Sequence, residues 1–158
     1  ALPISSIPRP ENLAAEIERR LGLQVKGEMV PFAVIDKRTN QAAGMTTYCR
    51  LDQANRRLEI GYTWYRQNCQ RTALNTECKL MLLRHAFEVL NCASVEFRTS
   101  AFNFTSRKAI ERLGAKLDGV LRNARILANG AIGDSYVYSI LNNEWAIVKT
   151  NLEYKLQR

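Results

Sequence analysis

The sequence predicts a mixed α/β (α+β) domain: a largely antiparallel sheet with some parallel pairing, flanked by helices. Three observations carry this. Strand-like stretches recur between residues 31 and 65 with polar turns between them, as in hairpins. A long helical stripe follows and leads directly into another strand-like run, and strand–helix–strand succession implies parallel pairing. The 158 residues, 46% hydrophobic and 24% charged, suit one globular domain over residues 1–158. Such a chain buries roughly 70% of its unfolded surface.

The elements follow in order. Leu13, Ile17 and Leu21 recur at helical spacing, with Pro10 and Glu11 fitting a first turn and Gly22 an end. A helix is expected over about 10–21. "PFAVIDKRTNQAAGMTTYCRLD" reads as two strands around the turn "KRTNQ". "RRLEIGYTWY" alternates, with Leu58, Ile60, Tyr62 and Trp64 on one face and Glu59, Gly61, Thr63 and Tyr65 on the other. From Asn75 to Leu90, Cys78, Met81, Leu82, Ala86, Val89 and Leu90 trace an apolar stripe. Lys79, Arg84 and Glu88 are expected on the wet side, with His85 beside the stripe. "ASVEFRTS" is a strand with Val95 and Phe97 inward. "FNFTSRKAIERLGA" is a short helix capped near Asn103 or Thr105 and ended by Gly114. Two strands surround "ANGAIGD", and a closing helix presents Trp145, Val148 and Leu152 on one side.

Composition narrows the function classes. Four cysteines without CxxC spacing and a single histidine argue against a zinc site and a histidine-based triad, so no metal is expected. The thiols read as free in a cytoplasmic chain. No apolar run approaches the roughly 20 residues that span a bilayer. The start "ALPISSIPRPEN" has no signal-peptide pattern, so no membrane role is expected. The net charge of +8 suggests an anionic partner, but the charges are scattered, which weakens a nucleic-acid arm.

The stretch "RQNCQRTALNTE" sits where a strand feeds the long helix. A helix start presents unpaired N–H groups and a positive dipole end, which suit a phosphate or pyrophosphate, with Arg66 and Arg71 adding charge. The plainer reading is that Thr72 or Asn75 caps the helix and the arginines solvate the loop. The loop matches neither GxGxxG nor GxxxxGK[ST].

The element order, with "QRTALNTE" and "NFTSRKAIERLGA" at their mutual distance, resembles the GNAT-superfamily N-acetyltransferases of the RimJ/RimL type over about residues 30–145. That branch includes enzymes that acetylate the α-amino groups of ribosomal proteins. The resemblance implies the GNAT fold, acetyl-CoA as cosubstrate and a primary amine acceptor, on a protein N-terminus or a small molecule. It also implies a possible homodimer through the C-terminal strands, with "DSYVYSIL" as the edge. Family members usually begin with a further strand and helix, for which this chain starts too late.

The family's pyrophosphate loop, Q/R-x-x-G-x-G/A, falls on Gln70, Arg71, Thr72, Ala73, Leu74 and Asn75, with Ala73 and Asn75 at the glycine positions. By the resemblance, the amides up to Thr76 face the pyrophosphate. Trp64 and Tyr65 run beside the pantetheine, with a backbone N–H near them polarising the thioester carbonyl. Asn103 and Ser106 sit on the cofactor side. Where many members carry a tyrosine as general acid this chain has Ile110, and Ser106 is the acid implied instead. Glu59 is the implied base, with water as the alternative. A second glutamate of RimL-like enzymes is absent, with Arg125 near its place.

Three functions remain in view: an acetyl-CoA-dependent N-acetyltransferase, a catalytically weak GNAT-fold module that binds CoA or regulates, and a nucleic-acid binder stacking bases on Tyr62, Trp64, Tyr65, Phe102 and Phe104. The alternation places several of these aromatics in the core, against the third reading.

Overall fold

A 3-10 turn (Pro10–Asn12) leads into α1 (Leu13–Val25) in the computed structural model, which describes residues 7–127 and 129–157. Strands β1 (Met29–Asp36), β2 (Gln41–Asp52) and β3 (Arg57–Tyr65) follow as an antiparallel meander. Helix α2 (Leu74–Arg84), prolonged by a π turn at His85–Val89, crosses over to β4 (Ser94–Ser100). Then come α3 (Phe104–Arg112), the hairpin of β5 (Lys116–Ile126) and β6 (Ile132–Leu141), and α4 (Trp145–Leu156). The sheet order is β1-β2-β3-β4-β6-β5, and β3 with β4 is its parallel pair. No helix among the described residues is long and apolar enough to cross a membrane.

The sheet has two unlike faces. On one, Tyr48, Leu58, Ile60, Val95, Phe97, Tyr138 and Ile140 meet α2, α3 and α4 through Leu83, Ile110, Leu113, Trp145, Val148 and Leu152. This apolar face supplies the hydrophobic stabilisation, about 25 cal/mol per Å² buried. The other face is polar along β4 and β6, where Ser94, Glu96, Ser135 and Ser139 are all buried. Helix α1 lies on this second face.

Helix α1 departs from expectation at both its end and its face. It runs past Gly22, where an added Cβ would meet nothing within 4 Å, and the chain turns at Gly27 with φ 73°. Ile17 and Leu21 are exposed, and Arg20 is the buried residue of the helix, 0% exposed. The reason is the polar surface underneath. Arg20 Nε donates to Glu16 at 2.7 Å and Nη1 to Thr47 Oγ1 at 3.0 Å, while the guanidinium stacks over the Tyr62 ring.

The stripe on α2 is also rotated. Thr76, Lys79, Leu80 and Leu83 are buried, whereas Met81, Val89 and Leu90 are exposed, and so is His85. Lys79 lies on the dry side because β2 and β3 offer it two hydroxyls. "DSYVYSIL" is not an edge either. Strand β6 is paired with β4 from Ser94↔Leu141 to Ser100↔Ser135 and with β5 on its other side, so the edges are β1 and β5. Helix α3 keeps its expected cap: Asn103 Oδ1 accepts the Ser106 N–H at 3.1 Å. Helix α4 buries Trp145, Val148 and Leu152 as its period requires.

Candidate active site

The parallel pairing is short. Arg57, Leu58 and Glu59 pair with Ser94, Val95 and Glu96, and no further rung joins β3 to β4. Beyond it β3 continues to Tyr65 and β4 to Ser100, so the two carboxyl ends diverge. A wedge opens there, edged by backbone groups with no strand partner. Helices α2 and α3 begin just past these strand ends, so both N-termini lie at the wedge mouth, where open α/β sheets hold ligands.

Strand β3 does not keep its alternation into the wedge. The register to β2 shifts between Thr47↔Gly61 and Met45↔Trp64, and Tyr62 takes φ 49°. The extra residue is a β-bulge, and it reverses the parity of every side chain after it. Leu58 and Ile60 therefore share the apolar face with Thr63 and Tyr65, while Tyr62 is exposed on the other side, beside Arg19 and Arg20. Tyr62 and Trp64 do not continue the face of Ile60. The irregular backbone, where an N–H escapes the ladder, falls at Gly61–Thr63, just ahead of Trp64 and Tyr65.

Within the wedge strand, Trp64 Nε1 is buried without a hydrogen-bond partner, and the buried Tyr65 hydroxyl faces the Cys78 thiol. Burial pushes the Tyr65 phenol above its ordinary pKa. Tyr65 packs, with Leu74 and Cys78, against the cluster of Val34, Ala43 and Cys69, and its carbonyl accepts from Gln70 Nε2 at 3.1 Å.

At the start of α2, Thr72 Oγ1 accepts the Leu74 N–H at 3.3 Å and donates to the Cys69 carbonyl at 2.8 Å. Thr72, rather than Asn75, therefore does the local capping. The amides of Arg71, Thr72, Ala73, Asn75 and Thr76 meet no acceptor among the described residues. Ala73 is already helical, at φ −63° and ψ −18°, so its methyl carries no backbone strain where the family has glycine. The left-handed residue of the loop is Arg71, at φ 60°. The donor set therefore fits a pyrophosphate.

Behind this helix start lies a residue that its charge concealed. Lys79 Nζ donates to Thr63 Oγ1 at 2.8 Å and to Thr46 Oγ1 at 3.1 Å, and the two hydroxyls are 2.8 Å apart. Lys79 is 5% exposed, and burial pushes its ammonium down to about 7. Thr63 stands on the bulge side of the wedge strand, so the lysine props the wedge from behind.

Glu59 lies on the opposite face of β3, at the wedge apex. Arg50 Nε is 3.0 Å and Arg98 Nε 3.6 Å from its Oε2, yet neither meets that oxygen as an aligned hydrogen bond. Burial raises its pKa, against the pull of Arg50, Arg98 and Arg125. A second bulge delivers Arg50: it has φ 48°, and the β2–β3 register shifts between Cys49 and Asp52. Gly61 leaves room above the carboxylate, since a Cβ there would sit 3.0 Å from Glu59 Oε1. Ser106 is half-buried at the first turn of α3; its amide serves the Asn103 cap. Ile110 is a core residue. The fold thus brings residues 64–65, 70–76, 103 and 106 to the wedge mouth, and Glu59 to its apex on the polar face.

Residues 4–116 match the family described as an acetyltransferase (GNAT) domain. The uncharacterized N-acetyltransferase p20 of Bacillus licheniformis is 30% identical over 124 residues, 78% of this chain and 68% of that protein. YdaF of Bacillus subtilis strain 168, named as a candidate ribosomal N-acetyltransferase, is 34% identical over 102 residues, 65% of this chain and 55% of its own length. The chain thus spans about half to two thirds of these relatives. The crystal structure of a GCN5-related N-acetyltransferase from Brucella melitensis has a TM-score of 0.83 at 30% identity, covering 93% of this chain and 66% of that one.

Proposed function

The chain belongs to the GNAT acetyltransferase family, and from that premise we propose that it transfers the acetyl group of acetyl-CoA to a primary amine by direct attack on the thioester. One observation carries the reading: the wedge between β3 and β4, with an unpaired backbone edge and two helix N-termini at its mouth. The pyrophosphate would take the free amides of residues 71–73, 75 and 76, assisted by Gln70 and Arg71. The pantetheine would lie along Trp64 and Tyr65, with Asn103 and Ser106 on the opposite wall. The bulge offers a backbone N–H to the thioester oxygen as negative charge develops there.

The acceptor amine attacks the carbonyl carbon, its proton passing to Glu59 directly or through water, and the departing thiolate takes a proton from the Ser106 hydroxyl. Burial supports Glu59 as a base by raising its pKa above the ordinary glutamate value. A protein N-terminus is the favoured acceptor, in keeping with the RimJ/RimL branch and the name of YdaF. The ion pairs holding Glu59 favour one alternative, a CoA-binding module with weak catalysis. Calorimetric titration with acetyl-CoA and with CoA tests the reading. Micromolar binding weakened by Arg71→Glu supports it, and a folded chain that binds neither overturns it.

A further inference from the structure

The polar face beside the wedge apex carries a layered charge arrangement. Glu59 and Glu96 lie at the bottom, with side chains 10% and 9% exposed. Above them are Arg50, Arg57 and Arg98, with side chains 64%, 49% and 27% exposed. Arg57 and Arg98 both pair with Glu96, Arg98 also reaches Glu59, and Arg125 on β5 is close enough for its charge to act on Glu59. Next to this cluster a cavity of about 570 Å³ opens over β4, β6 and β5, bordered by Arg57, Glu96, Arg98, Asp118 and Leu121.

The order of the layers decides what can enter. An approaching molecule meets guanidinium groups first and carboxylates only beneath them. Arg50, Arg57, Arg98 and Arg125 together exceed Glu59, Glu96 and Asp118 by one charge, four against three, so the rim keeps a net positive field. A polycation would have to displace arginines to reach Glu59, whereas an anionic group can dock on them. The way down to Glu59 passes Gly61, where no side chain stands. The cavity is mid-range for sites that take a sizeable ligand, and it runs across three strands instead of enclosing a single small amine.

We propose that the acceptor is the free N-terminus of an acidic peptide segment, its amine directed past Gly61 to Glu59 and its following acidic side chains held by Arg50, Arg57, Arg98 and Arg125. This rests on the acetyltransferase reading for the role of the amine, but the recognition itself can be measured without acetyl-CoA.

The test uses the chain as it is and two labelled peptides of equal length, one with Asp and Glu after a free N-terminal Ser, the other with Lys in their place. Fluorescence anisotropy is expected to show the acidic peptide binding about tenfold or more tightly than the basic one, the preference shrinking in about 0.5 M salt. Acetylating the acidic peptide's N-terminus, or the Arg50→Gln/Arg57→Gln double variant, is expected to weaken it about fivefold. Arg98 still pairs both glutamates in that variant, which protects the fold. Equal binding of the two peptides, a preference for the basic one, or no binding of either overturns the proposal. So does indifference to N-terminal acetylation, which would mark general attraction to a basic surface. Failure of acetyl-CoA to bind in a separate titration would instead strike the acetyltransferase reading and leave the peptide result standing.

Discussion

Replacing Lys79 by methionine removes a buried cation while keeping the length of the side chain. The ammonium titrates near 7 in the folded protein against an ordinary 10.5, so the unfolded chain binds the proton more tightly over this interval. Stability therefore rises with pH from about 7 to 10.5, and the burden of the charge is fully present below 7. Each pH unit of difference is worth about 1.4 kcal/mol, giving about 5 kcal/mol below pH 6 and about 1.4 kcal/mol at pH 9.5. Against this, methionine forfeits the bonds to Thr46 and Thr63, together about 1–2 kcal/mol. The two hydroxyls still have each other at 2.8 Å, so neither is orphaned. Lys79→Met should thus be about 3 kcal/mol more stable than the wild type at pH 6, with the two converging near pH 9.5. Urea unfolding of both proteins at several pH values measures the difference. A difference that stays flat from pH 6 to 9.5, or a variant less stable at pH 6, would refute the reasoning.

Other expectations are more local. Gly44→Ala would drive a Cβ into the Trp64 carbonyl and to 2.9 Å from Tyr65 Cα, so it should cost about 2–3 kcal/mol in denaturant unfolding and weaken acetyl-CoA binding through the wedge strand. Ser106→Ala leaves the cap intact, because the amide and not the hydroxyl meets Asn103. Thiol release should fall by about 10² with little change in KM for acetyl-CoA; an unchanged rate would remove Ser106 as the acid. Glu59→Gln should remove the Glu59 limb from the rise of kcat/KM with pH, a limb that burial moves upward from the ordinary glutamate pKa, and leave the limb of the acceptor amine. A profile identical in both proteins would leave water as the base.

What could be read from the sequence was local. The meander, the Asn103 cap, Gly114 at φ 101° and the α4 stripe follow from turn residues and period, which neighbouring positions carry. The bulges at Arg50 and Tyr62 had no such signal, since neither is a glycine and each φ is imposed by pairing with another strand. Parity arguments consequently failed beyond Gly61. Charge alone places Lys79 on the wet side, and no sequence signal marks Arg20 as buried. Their burial depends on Thr46, Thr63 and Thr47, distant in sequence, whose hydroxyls make a dry site tolerable. The helix start at 70–76 was legible, and its unpartnered amides support the proposed anion cradle. The ion cluster around Glu59 was not, because it joins β2, β3, β4 and β5 across the sheet.

The three rungs between β3 and β4 join two three-stranded antiparallel ribbons into one sheet. On the apolar side the helices bridge the ribbons, but along the sheet itself the seam is closed at one end and open at the other. A molecule lodged in the open end becomes a backbone bridge between ribbons that otherwise fray apart there. Its concentration would then govern how cooperatively the protein unfolds, as well as its midpoint. Hydrogen exchange along residues 60–65 and 97–100 would slow together when the seam is filled, and the ribbons would come apart as a unit and not in sequence.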